Sequence, residues 1–338
     1  MKKNILCKIR LGVLLIFAVI SCNCTKLDEI EDKPNGPDDI VDSEDYISSS
    51  EFIAVFGDIQ YITNGKYIDI FKRSLDWIEN AKKKINISCV LHTGDISASN
   101  SVASEWPYFK RCMEGFSLSF ISCIGDHDYK WNDNIFINNR YDTHFSEYTK
   151  FPLVTKRIEA SFEANRMENI VVHNEIHGER YDLLVLEFGP RKEVVEWAKD
   201  WVESHPDVKY ILMNHEYLEQ GGGRRTSGLK CKARLRNTDC MTPDELWAQL
   251  VKCNNNIVCV LCGHVGGLYA VTYEENDFGR EVCQIQHNIQ SPDYRYDNWL
   301  MMWEFPEEGD EANVFIVNTK TEELYDSKES LFTFKYRY

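Results

Sequence analysis

Ile87-Ser88-Cys89-Val90-Leu91-His92-Thr93-Gly94-Asp95 is the stretch whose reading decides the fold. A short apolar run stops abruptly at Gly-Asp. Glycine lets the backbone turn sharply, and the aspartate is left facing outward at the end of a strand. The same grammar recurs in Phe52-Ile53-Ala54-Val55-Phe56-Gly57-Asp58 and in Phe120-Ile121-Ser122-Cys123-Ile124-Gly125-Asp126. Tyr210-Ile211-Leu212-Met213-Asn214-His215 and Val258-Cys259-Val260-Leu261-Cys262-Gly263-His264 end in histidine instead. In α/β sheets the carboxyl ends of strands are where ligands bind. If these five ends converge, they build a polynuclear metal site.

The chain has 338 residues, enough for one large α/β domain with a substantial core. A formal net charge of -16 argues against an extended polyanion such as nucleic acid as partner. Small anions stay open, because bound metal ions supply local positive charge.

Lys2, Lys3, Lys8 and Arg10 precede an apolar run from Leu11 to Ile20, interrupted only by Gly12 and too short for a membrane span. Val19-Ile20-Ser21-Cys22 then resembles a bacterial lipobox. That resemblance implies a signal peptide over residues 1–21, lipidation of the Cys22 thiol, and an exported lipoprotein held to a membrane, periplasmic or at the cell surface. Residues 22–50 are acidic and polar and read as a flexible tether; residues 51–338 read as the domain. Cys89, Cys123, Cys259 and Cys262 lie in apolar strands and read as small core residues. Cys231 and Cys240 share one polar loop and are open to pairing as a disulfide.

Apolar spacing predicts a helix from about residue 65 to 84, a second around 101–113 and a third over 191–203. Residues 129 to about 167 lack a clear period and read as loops. Residues 181–188 read as a strand, and Thr242-Pro243-Asp244-Glu245 as a helix start with Thr242 as N-cap. Alternating segments near 268–273, 281–287, 299–305 and 313–318 read as antiparallel strands closing a second sheet.

In order, the chain carries Gly57-Asp58-Ile59-Gln60, Gly94-Asp95, Gly125-Asp126-His127-Asp128, Asn214-His215-Glu216 and Gly263-His264-Val265-Gly266. Any one block alone reads as a turn or a helix N-cap. All five in this order resemble the calcineurin-like metallophosphoesterase family, in an exported lipoprotein branch with an Asp-x-Gln first motif. The resemblance covers roughly residues 51–270 and implies an α/β fold, a two-sheet αββα sandwich. It also implies two metal positions bridged by Asp95: Asp58 and Gln60 on the first; Asp126, His215 and His264 on the second. His127 resembles the family's general acid, held by Asp128. The pattern is departed from at Gln60 and Gly266, where the family has histidine, at Asp126, where it has asparagine, and at Ala98, where it has aspartate. Ala98 also stands where purple acid phosphatases place a tyrosine, which argues against that branch.

The function implied is metal-dependent hydrolysis of a small phosphomonoester or phosphodiester, with metal-bound hydroxide as nucleophile and His127 protonating the leaving group. The alternative is a catalytically degenerate member that binds a phosphorylated or glycan ligand. The thinned first position implies one tightly bound ion (Zn, Mn or Fe) and a weaker second (Mn or Mg). The basic loop 219–238, with Arg224, Arg225, Lys230, Arg234 and Arg236, is a candidate to clamp a phosphate, Arg224 and Arg225 foremost, or to be a solvated surface. His92, His173 and His287 read as structural. If Cys22 is the anchor, Cys22→Ala abolishes both fatty-acid labelling and partition into detergent; label that persists in the variant would move the site elsewhere, Cys24 first.

Overall fold

The computed structural model describes residues 48–236 and 239–338. The expected signal peptide, Cys22 and nearly all of the 22–50 tether lie outside the described residues. Fourteen strands are present among the described residues: β1 (Glu51–Phe56), β2 (Asn86–His92), β3 (Ser119–Ser122), β4 (Ile158–Ser161), β5 (Ile170–Val172), β6 (Glu175–Ile176), β7 (Glu179–Val185), β8 (Lys209–Met213), β9 (Ile257–Cys262), β10 (Tyr269–Glu275), β11 (Glu281–His287), β12 (Trp299–Phe305), β13 (Glu311–Asn318) and β14 (Phe332–Lys335). They form two sheets, β14-β13-β12-β1-β2-β3 and β10-β11-β9-β8-β7-β5-β4 with β6 paired to β7.

The five strands read from the sequence divide between these sheets. β1, β2 and β3 run parallel in the first and end at the Gly-Asp turns. β8 and β9 run parallel in the second and end at the histidines. Carboxylates therefore come from one sheet and imidazoles from the other. Near-continuous apolar runs are what parallel strands covered on both faces require. In the second sheet the alternation is visible. Leu184, Tyr210, Leu212 and Val260 join Val194, Val195, Ala198 and Val202 of the helix Lys192–Ser204. Leu183, Val185, Ile211, Met213 and Leu261 face the core shared with the first sheet. On the far side, the helices Ile68–Ala81 and Glu105–Met113 bury Phe71, Leu75, Ile78 and Phe109 against Phe56 and Phe120. The order helix, sheet, sheet, helix is the expected αββα sandwich.

Some expectations need correction. The last segments do not close a single sheet: β10 and β11 extend the second, whereas β12, β13 and β14 return to the first, with β12 antiparallel to β1. Alternation shows that a segment is a strand but not which sheet edge it joins. Residues 129–167 are not loops throughout; they include the helices Phe145–Thr149 and Pro152–Thr155 and strand β4, elements too short to show a period. The Thr242 start is as read, with Thr242 Oγ1 accepting from the Glu245 N–H at 3.3 Å and Glu245 Oε2 accepting from the Thr242 N–H at 2.7 Å.

Phe71 ties the first helix to β1 and β3 through Phe56 and Phe120, with ring centroids 5.4 and 6.3 Å away. It is fully buried. Phe71→Ala is expected to lower stability by about 3–5 kcal/mol, read from the urea unfolding midpoint. A loss under about 1 kcal/mol would mean the aromatic cluster repacks around the gap.

Candidate metal centre

Asp95, Asp126, His215 and His264 converge, each offering one ligand atom, all within 4.8 Å of one another. Asp95, Asp126 and His215 are essentially inaccessible to solvent. His215 Nε2 lies 3.4 Å from Asp95 Oδ1 and 3.5 Å from Asp126 Oδ1, and His264 Nδ1 lies 3.4 Å from Asp126 Oδ1. The two inner ring nitrogens are 3.2 Å apart.

Backbone groups fix which atoms face inward. His215 Nδ1 lies 2.7 Å from the Thr93 carbonyl, which can only accept, so Nδ1 carries a proton and Nε2 points into the cluster. The outer nitrogen of His264, Nε2, faces Glu216 Oε1 at 3.4 Å and leaves Nδ1 inward. Asp95 and His264 hold left-handed backbone conformations, φ +60° and +69°, unusual for residues with a Cβ. Close approach explains the glycines before two of the ligands. A Cβ on Gly94 would stand 2.5 Å from His215 Nδ1, and one on Gly125 would stand 2.0 Å from Asp95 Oδ1.

The pocket calls for positive charge. Asp126 Oδ1 is buried without a hydrogen-bond partner. Burial alone would lower the His215 pKa, but the Asp95 and Asp58 charges raise it well above the ordinary value. A divalent cation satisfies the same four groups in place of that proton. The residues present therefore fit a metal ion.

The first expected position looks different. Asp58 lies outside the four-residue cluster, and its oxygens are already occupied. Oδ1 accepts from Thr93 Oγ1 at 3.1 Å; Oδ2 accepts from Asn288 Nδ2 at 3.0 Å, Gln290 Nε2 at 2.8 Å and the His264 N–H at 3.1 Å. These amide orientations are determined by their other partners. Asn288 Oδ1 accepts the Gln290 N–H at 2.6 Å, and Gln290 Nε2 also donates to the His264 carbonyl at 2.9 Å. Burial, foremost, pushes the Asp58 carboxyl up to about 6. Gln60 donates Nε2 to Asp95 Oδ2 at 3.1 Å, and its carbonyl Oε1 is buried without a partner. His92 and His287 stand outside the cluster, bonded to Ser122 Oγ at 2.7 Å and to the Leu268 carbonyl at 2.8 Å.

His127 sits beside the cluster, its N–H donating to Asp95 Oδ1 at 3.0 Å. Burial tends to lower its pKa, but the Asp95 and Asp126 charges prevail and raise it. Asp128 does not hold the His127 ring, contrary to the expectation. Nδ1 of His127 donates to the Ala98 carbonyl at 2.9 Å, and Trp131 packs on the ring with centroids 4.5 Å apart. Asp128 serves the backbone instead, accepting from the N–H groups of Asp95, Ser97 and Gly125 at 3.0, 2.9 and 2.9 Å. Adjacent residues in a tight turn project apart, so proximity in sequence misleads.

Arg224 and Arg225, the candidate phosphate clamps, are engaged in ion pairs. Arg224 pairs with Asp244 at 2.8 Å and with Glu274, and lies over the Trp247 ring at 4.7 Å. Arg225 pairs with Glu216 at 3.2 Å. Nor are Cys231 and Cys240 bridged; both are buried free thiols. Arg234, read from the sequence only as one cation of the basic loop, reaches the centre, its Nε donating to Asp126 Oδ2 at 3.0 Å; Glu216, Asn288 and Gln290 had no role assigned from the sequence. Glu216, Asn288 and Gln290 each lie within three residues of a strand-end histidine, His215 or His287, and that was the available signal.

Residues 53–284 match the family model described as calcineurin-like phosphoesterase. The chain is 26% identical over 287 residues to the uncharacterized protein YvnB of Bacillus subtilis (strain 168); the match takes in 80% of this chain and 20% of that protein. It thus spans about a fifth of the length of that curated relative. Among solved structures, a 5'-nucleotidase precursor from Thermus thermophilus aligns with TM-score 0.44 at 14% identity, over 82% of this chain and 53% of that one. A conserved uncharacterized protein from Streptococcus pneumoniae aligns with TM-score 0.34 at 12% identity, over 85% of this chain and 98% of that one.

Proposed function

The chain belongs to the calcineurin-like phosphoesterase family, and we propose that it is an exported, lipid-anchored hydrolase of a small phosphate monoester or diester. The observation that carries this is the convergence of Asp95, Asp126, His215 and His264 around an unpartnered buried carboxylate oxygen. When bound there, a divalent ion would supply a nucleophile at neutral pH and shield phosphoryl charge. The mixed carboxylate and imidazole set suits Zn, Mn or Fe. Asp58, Asp95 and the free Gln60 carbonyl offer oxygen only, which suits a weaker second ion such as Mn or Mg. With Asp58 already accepting four donors, retention at that first position should be poor.

His127 is the proposed proton donor. Its Nδ1–H is held by the Ala98 carbonyl, so the ring presents Nε2, and the Trp131 face restrains its tilt. The neighbouring aspartates favour its protonated form, as a donor requires. Asp128 acts one step removed, holding the backbone of Asp95, Ser97 and Gly125 in the turns that set ligand and donor. A second reading, a member that binds a phosphorylated or glycan ligand without turnover, is favoured by the occupied state of Asp58. Membrane attachment through Cys22 is proposed on the lipobox resemblance.

A panel of phosphomonoesters and diesters with added Mn, Mg, Zn or Ca tests turnover directly, and the absence of any hydrolysis would favour the binding reading. If His127 protonates the leaving group, His127→Asn slows esters with basic alkoxide leaving groups on the order of 10²–10⁴-fold and spares nitrophenyl esters. Equal losses across leaving groups would reduce His127 to a substrate contact.

Metal stoichiometry is a separate expectation. Dialysed protein should retain about one ion per chain. A Cβ on Gly266 would meet nothing within 4 Å, so there is room to add a ligand. Gln60→His with Gly266→His should raise retention towards about two ions, measured by elemental analysis. Two ions equally retained by the unmodified chain would contradict the asymmetry.

A further inference from the structure

A short helix, Lys230–Arg234, reaches the centre at both of its ends. At its start, the N–H groups of Lys230 and Cys231 each donate to the Glu216 carboxylate at 2.7 Å, and Glu216 Oε1 faces His264 Nε2. At its end, Arg234 Nε donates to Asp126 Oδ2 at 3.0 Å, in an ion pair with side-chain exposures of 10% and 1%. The guanidinium is a built feature rather than a surface contact. Nη1 donates to the Ile135 carbonyl at 3.1 Å, and the group lies over the Trp131 ring at 3.9 Å. Trp131 Nε1 in turn donates to the Asp126 carbonyl at 2.7 Å. The Arg234 carbonyl accepts from the Ile137 N–H at 2.8 Å. A bidentate-capable cation is thus locked against one oxygen of Asp126 while the other oxygen faces His215 and His264.

Charge accounting gives this arrangement a purpose. A doubly charged ion and the protonated His127 that proton donation calls for are just matched by the Asp58, Asp95 and Asp126 carboxylates, and a neutral centre attracts a phosphate ester weakly. We propose that Arg234 is a positioning residue that returns one positive charge to the centre, tempering its hold on the metal and preserving its attraction for an anionic phosphate. This rests on the metal-dependent phosphoesterase reading. Low-dielectric surroundings make a single charge at this distance consequential. Losing a group bonded to a metal ligand commonly costs roughly 10–100-fold in affinity; a cation on that ligand repels the metal, so its loss acts in the opposite sense on a similar scale.

The test uses the full chain, stripped of metal and titrated with Zn alone, then with inorganic phosphate at saturating Zn. Arg234→Gln is expected to bind Zn about tenfold tighter and phosphate about tenfold more weakly. Arg234→Lys, which keeps the charge, should hold phosphate affinity within about twofold. Asp126→Asn should loosen Zn about tenfold or more. Combining Asp126→Asn with Arg234→Gln removes one charge of each sign and should restore the phosphate affinity lost in Arg234→Gln. Weaker Zn binding by Arg234→Gln, or a double variant no better for phosphate than Arg234→Gln, would overturn the proposal while leaving the metal centre intact. Should Arg234→Gln fail to fold, a tenfold loss of phosphate affinity in folded Arg234→Lys would overturn it equally. An unmodified chain that binds no Zn would instead overturn the phosphoesterase reading, and the proposal with it.

Discussion

Two carboxylates and two imidazoles meet in a nearly water-free pocket, and the cost of burying so much uncompensated polarity is the constraint to which the surrounding structure answers. Each of the four is held from outside the cluster. The Thr93 carbonyl fixes His215, Glu216 faces the outer nitrogen of His264, Arg234 holds one oxygen of Asp126, and the Gln60 amide and the His127 N–H hold Asp95. Left-handed backbone at Asp95 and His264 persists because these bonds over-determine it. Such preorganisation is what a centre must have if ligand geometry is to precede the cation.

The contrast between the two candidate metal positions follows from the same bonds. Around Asp126 an oxygen is left open, whereas around Asp58 a hydroxyl, two amides and a backbone N–H fill every direction. Neutral donors stabilise a buried carboxylate without adding charge. Asp58 therefore stands as a structural anchor joining β1 to the segment after β11, in addition to any part it takes in holding an ion.

The four converging residues were legible because strand-end chemistry is local: an apolar run, a glycine and a polar residue can be read without knowing the partner strand. Asn288 and Gln290 were not, and Arg234 was legible only as one cation of a basic loop, since their contacts depend on loops brought in from 230, 232 and 108 positions away in sequence. The pairing of His127 with Asp128 failed for the opposite reason. Nearness in sequence suggested a contact, but the 3-10 turn Asp126–Asp128 sends the two side chains apart. Strands β10 to β13 were visible by alternation, yet alternation is blind to partner choice, so their division between two sheets emerged only in three dimensions.

The pairing of β12 with β1 carries a consequence for how the molecule comes to be. Glu51 stands opposite Phe305, so the strand that leads into Asp58 gains its second neighbour only from residues about 250 positions later. Closing so long a loop is entropically slow, and folds rich in such contacts reach the native state late and cooperatively. Asn288 and Gln290, which clamp Asp58, arrive from the same late region. A chain emerging from its N-terminus can therefore form β1, β2 and β3 early but cannot complete the pocket until the segment through β12 is available. Until then the parallel strand edges are exposed, and the nascent molecule is most vulnerable to mispairing and to chaperone or protease engagement.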